Sequence, residues 1–256
     1  MNAQPRGPVT LQIALDRIPL DRAEAITAAV REHADWIEVG TSLVKRYGMT
    51  GVARIVAAAG DTPVLADLKT ADDARTELAM AAEAGASSVT VLGLAAPATL
   101  DVAVRVAAEL GIEIMVDLME LDADGRARVA AAMPPTTVLA AHVPKDAQTA
   151  DTDAASLLGD WATGRRLALA GGLGVSAVPA VAKWGDVRLI VGSAITAAAD
   201  PAAAAAELRA AISAIDLPAV PTLTIRAVPA DPTHALSAVL TRAVPAHALS
   251  ARQEQS

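Results

Sequence analysis

The sequence contains no cysteine, which excludes a disulfide framework, a thiolate metal site and a cysteine nucleophile. It contains no phenylalanine either, and only one tyrosine and three tryptophans, so a core has to be built from Val, Leu, Ile and Ala. An excess of positive charge is missing too. The net charge is −8 and the pI about 5.0, so nucleic acid and other polyanions are not the expected partners. No stretch reaches 18 uninterrupted apolar residues, because charges break the Ala-rich tracts, and no membrane span is expected. The opening residues, MNAQPRGPVT, lack the apolar segment of a secretory signal, which makes the cytoplasm the expected setting.

Apolar residues are plentiful: 53% of 256 residues are hydrophobic, enough to bury one large core. Short β-branched runs recur at 9–16, 35–40, 63–69, 87–93, 112–118, 136–142, 165–171 and 187–193. Between and after them lie Ala-rich stretches at helical spacing, near 21–33, 43–59, 72–84, 97–110, 121–132, 147–162, 174–184 and 201–214, with Gly85 and Gly111 placed to stop two of the helices. The runs are nearly continuous in hydrophobicity, as parallel strands covered on both faces require. Eight such units in roughly 210 residues predict a (β/α)8 barrel, a TIM barrel, over 1–216; an open doubly wound sheet seldom needs eight even repeats. From about 217 to 256 the pattern stops. The remainder is rich in Pro and Ala and echoes itself, RAVPADPTHALSA at 226–238 and RAVPAHALSA at 242–251. A low-complexity, disordered extension is expected there, or a partner-docking segment, so His234 and His247 are given no catalytic work.

Active sites of such barrels sit at the C-terminal ends of the strands. Read in order, those ends carry Asp16, Glu38, Asp67 with Lys69, Asp117 and His142, followed by the glycine-bearing AGGLG at 170–174 and VGSAIT at 191–196. Five apolar strands that each end in an ionisable group are poorly explained by solvation, since a desolvated charge costs several kcal/mol unless paired or metal-bound. Glu38, Asp67 and Asp117 are hard oxygen donors suited to one Mg²⁺ with positions open to substrate oxygens. Such an ion stabilises an enediolate as it forms. Lys69 can offer positive charge to the developing oxyanion, and His142 is the natural proton shuttle. His33, at the end of a helix, reads as a surface group. Gly171, Gly172, Gly192 and Ser193 follow the last two strands, where barrels often cradle a phosphate on backbone N–H groups. Arg165 and Arg166 stand at the opposite end of the barrel and read as stabilising or surface residues.

These segments resemble a known family. LQIALD, IEVGTSLV, VLADLKTAD, VTVLGLA, IMVDLM, ALAGGL and IVGSAIT are similar to the 3-hexulose-6-phosphate synthases of the orotidine 5′-phosphate decarboxylase superfamily, which also includes the 3-keto-L-gulonate-6-phosphate decarboxylases. The resemblance covers residues 9 to 215, and its signature D-x-K-x-x-D is Asp67, Lys69 and Asp72. It implies a homodimer in which Asp72 reaches into the partner's site, Mg²⁺ among Glu38, Asp67 and Asp117, His142 as acid and base, and Asp16 near substrate hydroxyls. The orotidine decarboxylases carry Lys where this chain has Glu38 and use no metal, so Glu38 points to the Mg²⁺-dependent branch. The implied reaction is the reversible aldol addition of formaldehyde to D-ribulose 5-phosphate, a lyase activity. Three segments depart from the synthases. Asp72 is followed by Asp73, Ala74 and Arg75 where the synthases carry a glycine, LAAPATL lacks an acidic pair, and Lys145 stands three residues beyond His142, where the ketogulonate decarboxylases place an arginine involved in proton delivery. A decarboxylase, or another enediolate-forming enzyme on a different sugar phosphate, therefore stays open as an alternative. A non-catalytic binding barrel is disfavoured because Glu38, Asp67, Lys69, Asp117 and His142 are all retained.

Overall fold

Successive residues of a strand point to opposite faces, and in this chain both faces are kept from water. In the computed structural model, which describes residues 9–149 and 153–215, the strands are β1 (Val9–Leu15), β2 (Trp36–Val39), β3 (Val64–Thr70), β4 (Ser88–Leu92), β5 (Glu113–Asp117), β6 (Val138–His142), β7 (Arg166–Ala170) and β8 (Val187–Val191). All neighbours pair in parallel and β8 closes onto β1, giving the expected closed barrel. The extension expected from 217 onward, with its two histidines, lies outside the described residues.

One strand face meets the surrounding helices. These are α1 (Leu20–Val30), α2 (Thr41–Ala59), α3 (Ala74–Glu83), α4 (Pro97–Leu110), α5 (Ala123–Ala132), α6 (Val178–Val181), α7 (Ser193–Thr196) and α8 (Pro201–Ser213). Leu11, Ile13 and Leu15 of β1 join Ile37, Val39, Leu43, Ile55, Leu78 and Leu208 in one large apolar cluster between sheet and helices. The other face fills the barrel. There Leu65, Met115, Val138, Ala140 and Ala168, flanked by Trp36 and Ile190, form a separate apolar plug. With no phenylalanine available, Met115 and Trp36 supply the bulk. A one-residue register shift would exchange the two faces, so the alternation fixes which polar residues look inward.

Below the plug, at the N-terminal ends of the strands, lies an ionic floor with a buried arginine at its centre. Arg188 is 4% exposed, stacks 4.0 Å from the Trp36 ring centroid and pairs with Glu113 at 3.0 Å. Its guanidinium also donates to Gln12 Oε1 at 3.3 Å. Arg166 binds Glu113 at 3.0 Å and Asp186 at 3.1 Å, while Arg165 donates to the carbonyls of Ala130, Met133 and Pro134. Both arginines of strand seven are thus structural, as their position predicts.

Two expected helices differ. The stretch 147–162 is not an α-helix among the described residues; the chain around it forms three single turns of 3₁₀-helix at Lys145–Ala147, Ala154–Leu157 and Asp160–Ala162. Asp153 turns its carboxylate onto the Ala155 N–H, and Gly159 separates the last two turns, so local side-chain bonds outcompete helix propagation. The stretch 174–184 is broken into 3₁₀ turns around α6, with glycines at both ends. α2 begins earlier than expected and is kinked at Gly48, whose φ of 59° departs from helix.

Removing the buried floor cation should be costly because it leaves Gln12 Oε1 without its donor and takes one of two arginines from Glu113. Arg188→Ala is expected to lose on the order of 3 kcal/mol in urea-monitored unfolding, whereas Arg166→Ala, which is less buried and leaves Arg188 in place, should lose about 1 kcal/mol or less.

Candidate active site

At the other end of the plug the inward-facing positions become ionisable, and the chain departs from regular strand. Ala66 pairs with Val89 and Thr70 with Val91, so Asp67, Leu68 and Lys69 together stand opposite Thr90 alone. This bulge puts Lys69 at a φ of +51°, a region a residue with a Cβ enters only when its surroundings hold it there. Bulges bend a strand and re-aim its side chains, and here Asp67 and Lys69 come into direct contact.

The Lys69 ammonium lies 2.8 Å from Asp67 and 3.0 Å from Asp117. Burial works against its charge, but the two carboxylates prevail and hold its pKa above the usual lysine value. Asp67 also accepts from Thr41 Oγ1 at 2.5 Å and Thr90 Oγ1 at 2.6 Å. Asp117 accepts from His142 Nδ1 at 2.8 Å and from the Met119 N–H at 3.0 Å. Burial raises the Asp117 pKa, yet His142 and Lys69 outweigh it and leave the carboxyl below its ordinary value. With Nδ1 engaged as donor, His142 Nε2 is the nitrogen free to take a proton.

Glu38 completes the group from β2. Its carboxylate accepts from Gln12 Nε2 at 2.5 Å, and Gln12 is itself held from below by Arg188. Burial, and then the negative charge of Asp67, push its pKa up to about 7. Asp16, just past β1, is bonded by the Ser42 N–H at 3.2 Å and by the Ser42 hydroxyl. A Cβ at Gly40 would stand 2.7 Å from the Leu15 carbonyl oxygen, so glycine there lets β1 and the start of α2 approach. Over β7 and β8, Gly171 and Gly172 have φ of +118° and +67°. Gly192 precedes the short α7, where the Ile195 and Thr196 N–H groups turn back to its carbonyl and Ser193 stands at the helix start.

The sequence-level candidates do not all converge. Asp72 is exposed and makes no hydrogen bond or ion pair within its own barrel among the described residues. Lys145 lies at the rim, bonded to Gln148 Oε1 at 3.2 Å. The three-carboxylate metal set is not assembled: among the described residues no three His, Asp or Glu side chains are arranged to hold a metal ion. The Lys69 ammonium instead stands between Asp67 and Asp117, within 3.0 Å of both. On the Glu38 side the donor chemistry still fits a hard divalent cation, because two buried carboxylates repel one another there and Lys69 does not neutralise both. Sequence reading missed Gln12, Thr41, Ser42 and Thr90. For Gln12 and Thr90 the available signal was their inward parity with Glu38, Asp67 and Asp117 along the strands.

Fold and site define a (β/α)8 barrel whose polar centre lies at the C-terminal mouth, built on Asp-x-Lys. Residues 10–208 match the model of the orotidine 5′-phosphate decarboxylase / HUMPS family, and the chain belongs to that family. It is 38% identical over 208 residues to a 3-hexulose-6-phosphate synthase of Mycobacterium gastri, covering 79% of this chain and 99% of that one. A crystal structure of a 3-hexulose-6-phosphate synthase superposes with a TM-score of 0.72 at 38% identity, over 79% of this chain and 99% of that one. The 3-keto-L-gulonate-6-phosphate decarboxylase from Vibrio cholerae superposes at 0.66 with 27% identity, over 82% and 98%. The chain is thus an enzyme of the lyase class. No helix among the described residues is long and apolar enough to cross a membrane.

The buried Glu38 gives a pH signature. An unfolded glutamate titrates near 4.5 and the folded one near 7, so between these values the folded state holds the extra proton. Stability contributed by this group therefore falls as pH rises through that window. Comparing wild type with Glu38→Gln in metal-free buffer from pH 4.5 to 8, the variant should gain relative Tm as pH rises, with the difference levelling off above about pH 7.5.

Proposed function

We propose that the chain catalyses the reversible aldol addition of formaldehyde to D-ribulose 5-phosphate, giving 3-hexulose 6-phosphate. The observation that carries this reading is the single ammonium, Lys69, clamped between Asp67 and Asp117 with His142 on the far side of Asp117. Charge compensation for an enediolate and a base to form it thus lie within one mouth. Greater identity to the synthases than to the ketogulonate decarboxylase favours aldol addition over decarboxylation.

His142, oriented by Asp117, takes a proton from C1 of the ketose through Nε2. The electron pair left on C1 delocalises onto the C2 oxygen, and Lys69 offsets the charge that develops there. C1 then bonds to the formaldehyde carbon as its C=O π bond opens. The new alkoxide takes up the proton held by His142, so no proton is gained or lost overall. Asp16 holds substrate hydroxyls, and the backbone N–H groups at Gly171, Gly172, Gly192 and Ser193 take the phosphate, with Lys145 at the rim. Glu38 and Asp67 are the carboxylates that would hold Mg²⁺, with Asp117 nearest beyond Lys69. The ion would supply Lewis-acid polarisation of the ketose oxygens. Asp72, with no partner among the described residues, is read as serving a second subunit's site in a homodimer.

The assay is formaldehyde consumption with ribulose 5-phosphate, with Mg²⁺ and after chelation. Turnover is expected only with the metal, and no turnover under either condition overturns the reaction. Lys69→Ala should lower kcat by about a hundredfold or more. Asp72→Ala should be folded but inactive. Refolding that variant together with Lys69→Ala should recover activity through mixed dimers that hold one intact site, whereas failure to recover refutes the shared site.

A further inference from the structure

We propose that Thr90 is a positioning residue for the reaction, locking the Asp67–Lys69 bulge through its hydroxyl. The inference rests on the reading that Asp67 and Lys69 act on the substrate.

Thr90 is 4% exposed and is the one residue of β4 that faces three residues of β3. Where the bulge interrupts the backbone ladder, its Oγ1 accepts the Lys69 N–H at 2.8 Å. The same oxygen donates its own hydrogen to Asp67 Oδ1 at 2.6 Å. The two bonds use the hydroxyl as acceptor and donor at once, a pairing open to Ser or Thr but not to an apolar side chain. One bond gives a partner to a backbone N–H that would otherwise be orphaned in a buried strand. By doing so it holds Lys69 in the left-handed conformation that turns the ammonium toward Asp117. The other fixes the rotation of the Asp67 carboxylate, whose second oxygen is taken by Thr41. Asp67 therefore receives a hydroxyl from each neighbouring element, and its freedom to swing away from Lys69 is removed before substrate arrives. The β-branched methyl of Thr90 suits its place in β4, so the hydroxyl and the methyl have separable duties.

The separation supplies the test. Thr90→Val keeps shape and β-branching and deletes the hydroxyl; Thr90→Ser keeps the hydroxyl and deletes the methyl. Amide exchange of Lys69, read by NMR without substrate, should accelerate by at least about tenfold in Thr90→Val and stay near wild type in Thr90→Ser. In the aldol assay Thr90→Val should lower kcat about ten- to a hundredfold with the sugar-phosphate KM little changed, and Thr90→Ser should restore most of it. Unaltered Lys69 exchange in Thr90→Val, or a serine variant as impaired as the valine, overturns the proposal. Should Thr90→Val fail to fold, Thr90→Ala against Thr90→Ser makes the same comparison, and equal behaviour of that pair overturns it. A wild-type protein without aldol turnover would refute the reaction while the exchange result still decides what Thr90 holds.

Discussion

The ammonium of Lys69 between Asp67 and Asp117 is the contact on which the mouth of this barrel depends. Three carboxylates face the space above the apolar plug, and without a cation they would repel one another in a region where water screens poorly. Lys69 resolves two of the three, at the cost of a backbone conformation that lysine does not favour. His142 is then oriented by a carboxylate whose charge is secured by the same lysine. Removing the ammonium would thus disturb the general base as well as the oxyanion partner, which is why the four residues are best understood as one unit. Glu38 stands at the edge of this unit, where burial and the charge of Asp67 outweigh the help of Gln12 and Lys69.

The floor of the barrel has the opposite character. Arg188, Arg166, Glu113 and Asp186 neutralise one another, and Trp36 covers the guanidinium of Arg188. Gln12 spans the two ends, accepting from Arg188 below and donating to Glu38 above. A side-chain amide is suited to that place because it offers both an acceptor and a donor without adding charge. The orientation of Glu38 in the mouth is in this way tied to an ion pair in the floor, across the thickness of the plug.

Much of this was legible in the sequence. Eight apolar runs, each long enough for one strand and five of them ending in an ionisable group, identified the barrel and the end that carries the chemistry. The strand ends at Glu38, Asp67, Asp117 and His142 were found because an ionisable residue after an apolar run stands out. Gln12 and Thr90 were not, because a neutral polar residue within a strand does not announce which face it occupies, and its importance rests on partners far away in sequence. The bulge at Asp67–Lys69 was hidden for a related reason: register is a property of two strands, and one strand alone does not encode it. The contacts of Asp117 with Lys69 and His142 were hidden as well, because spacing says which groups share a mouth but not which of them pair. The stretch around 147–162 contains alanine enough for a helix, yet its Asp, Thr and Gly residues favour local turns.

Backbone strain in this protein has a direction. Among the described residues, the non-glycine positions with positive φ are Arg17, Lys69, Asp73 and Glu120, and each lies at or beyond the C-terminal end of β1, β3 or β5. At the floor the corresponding irregular positions are filled by glycine, as at Gly60, Gly85 and Gly111. Each strained residue costs on the order of 1–2 kcal/mol, so this cost falls at the rim that carries the site. The folding free energy spent on unusual backbone is thereby confined, among the described non-glycine residues, to the end of the barrel where Lys69 and its partners stand.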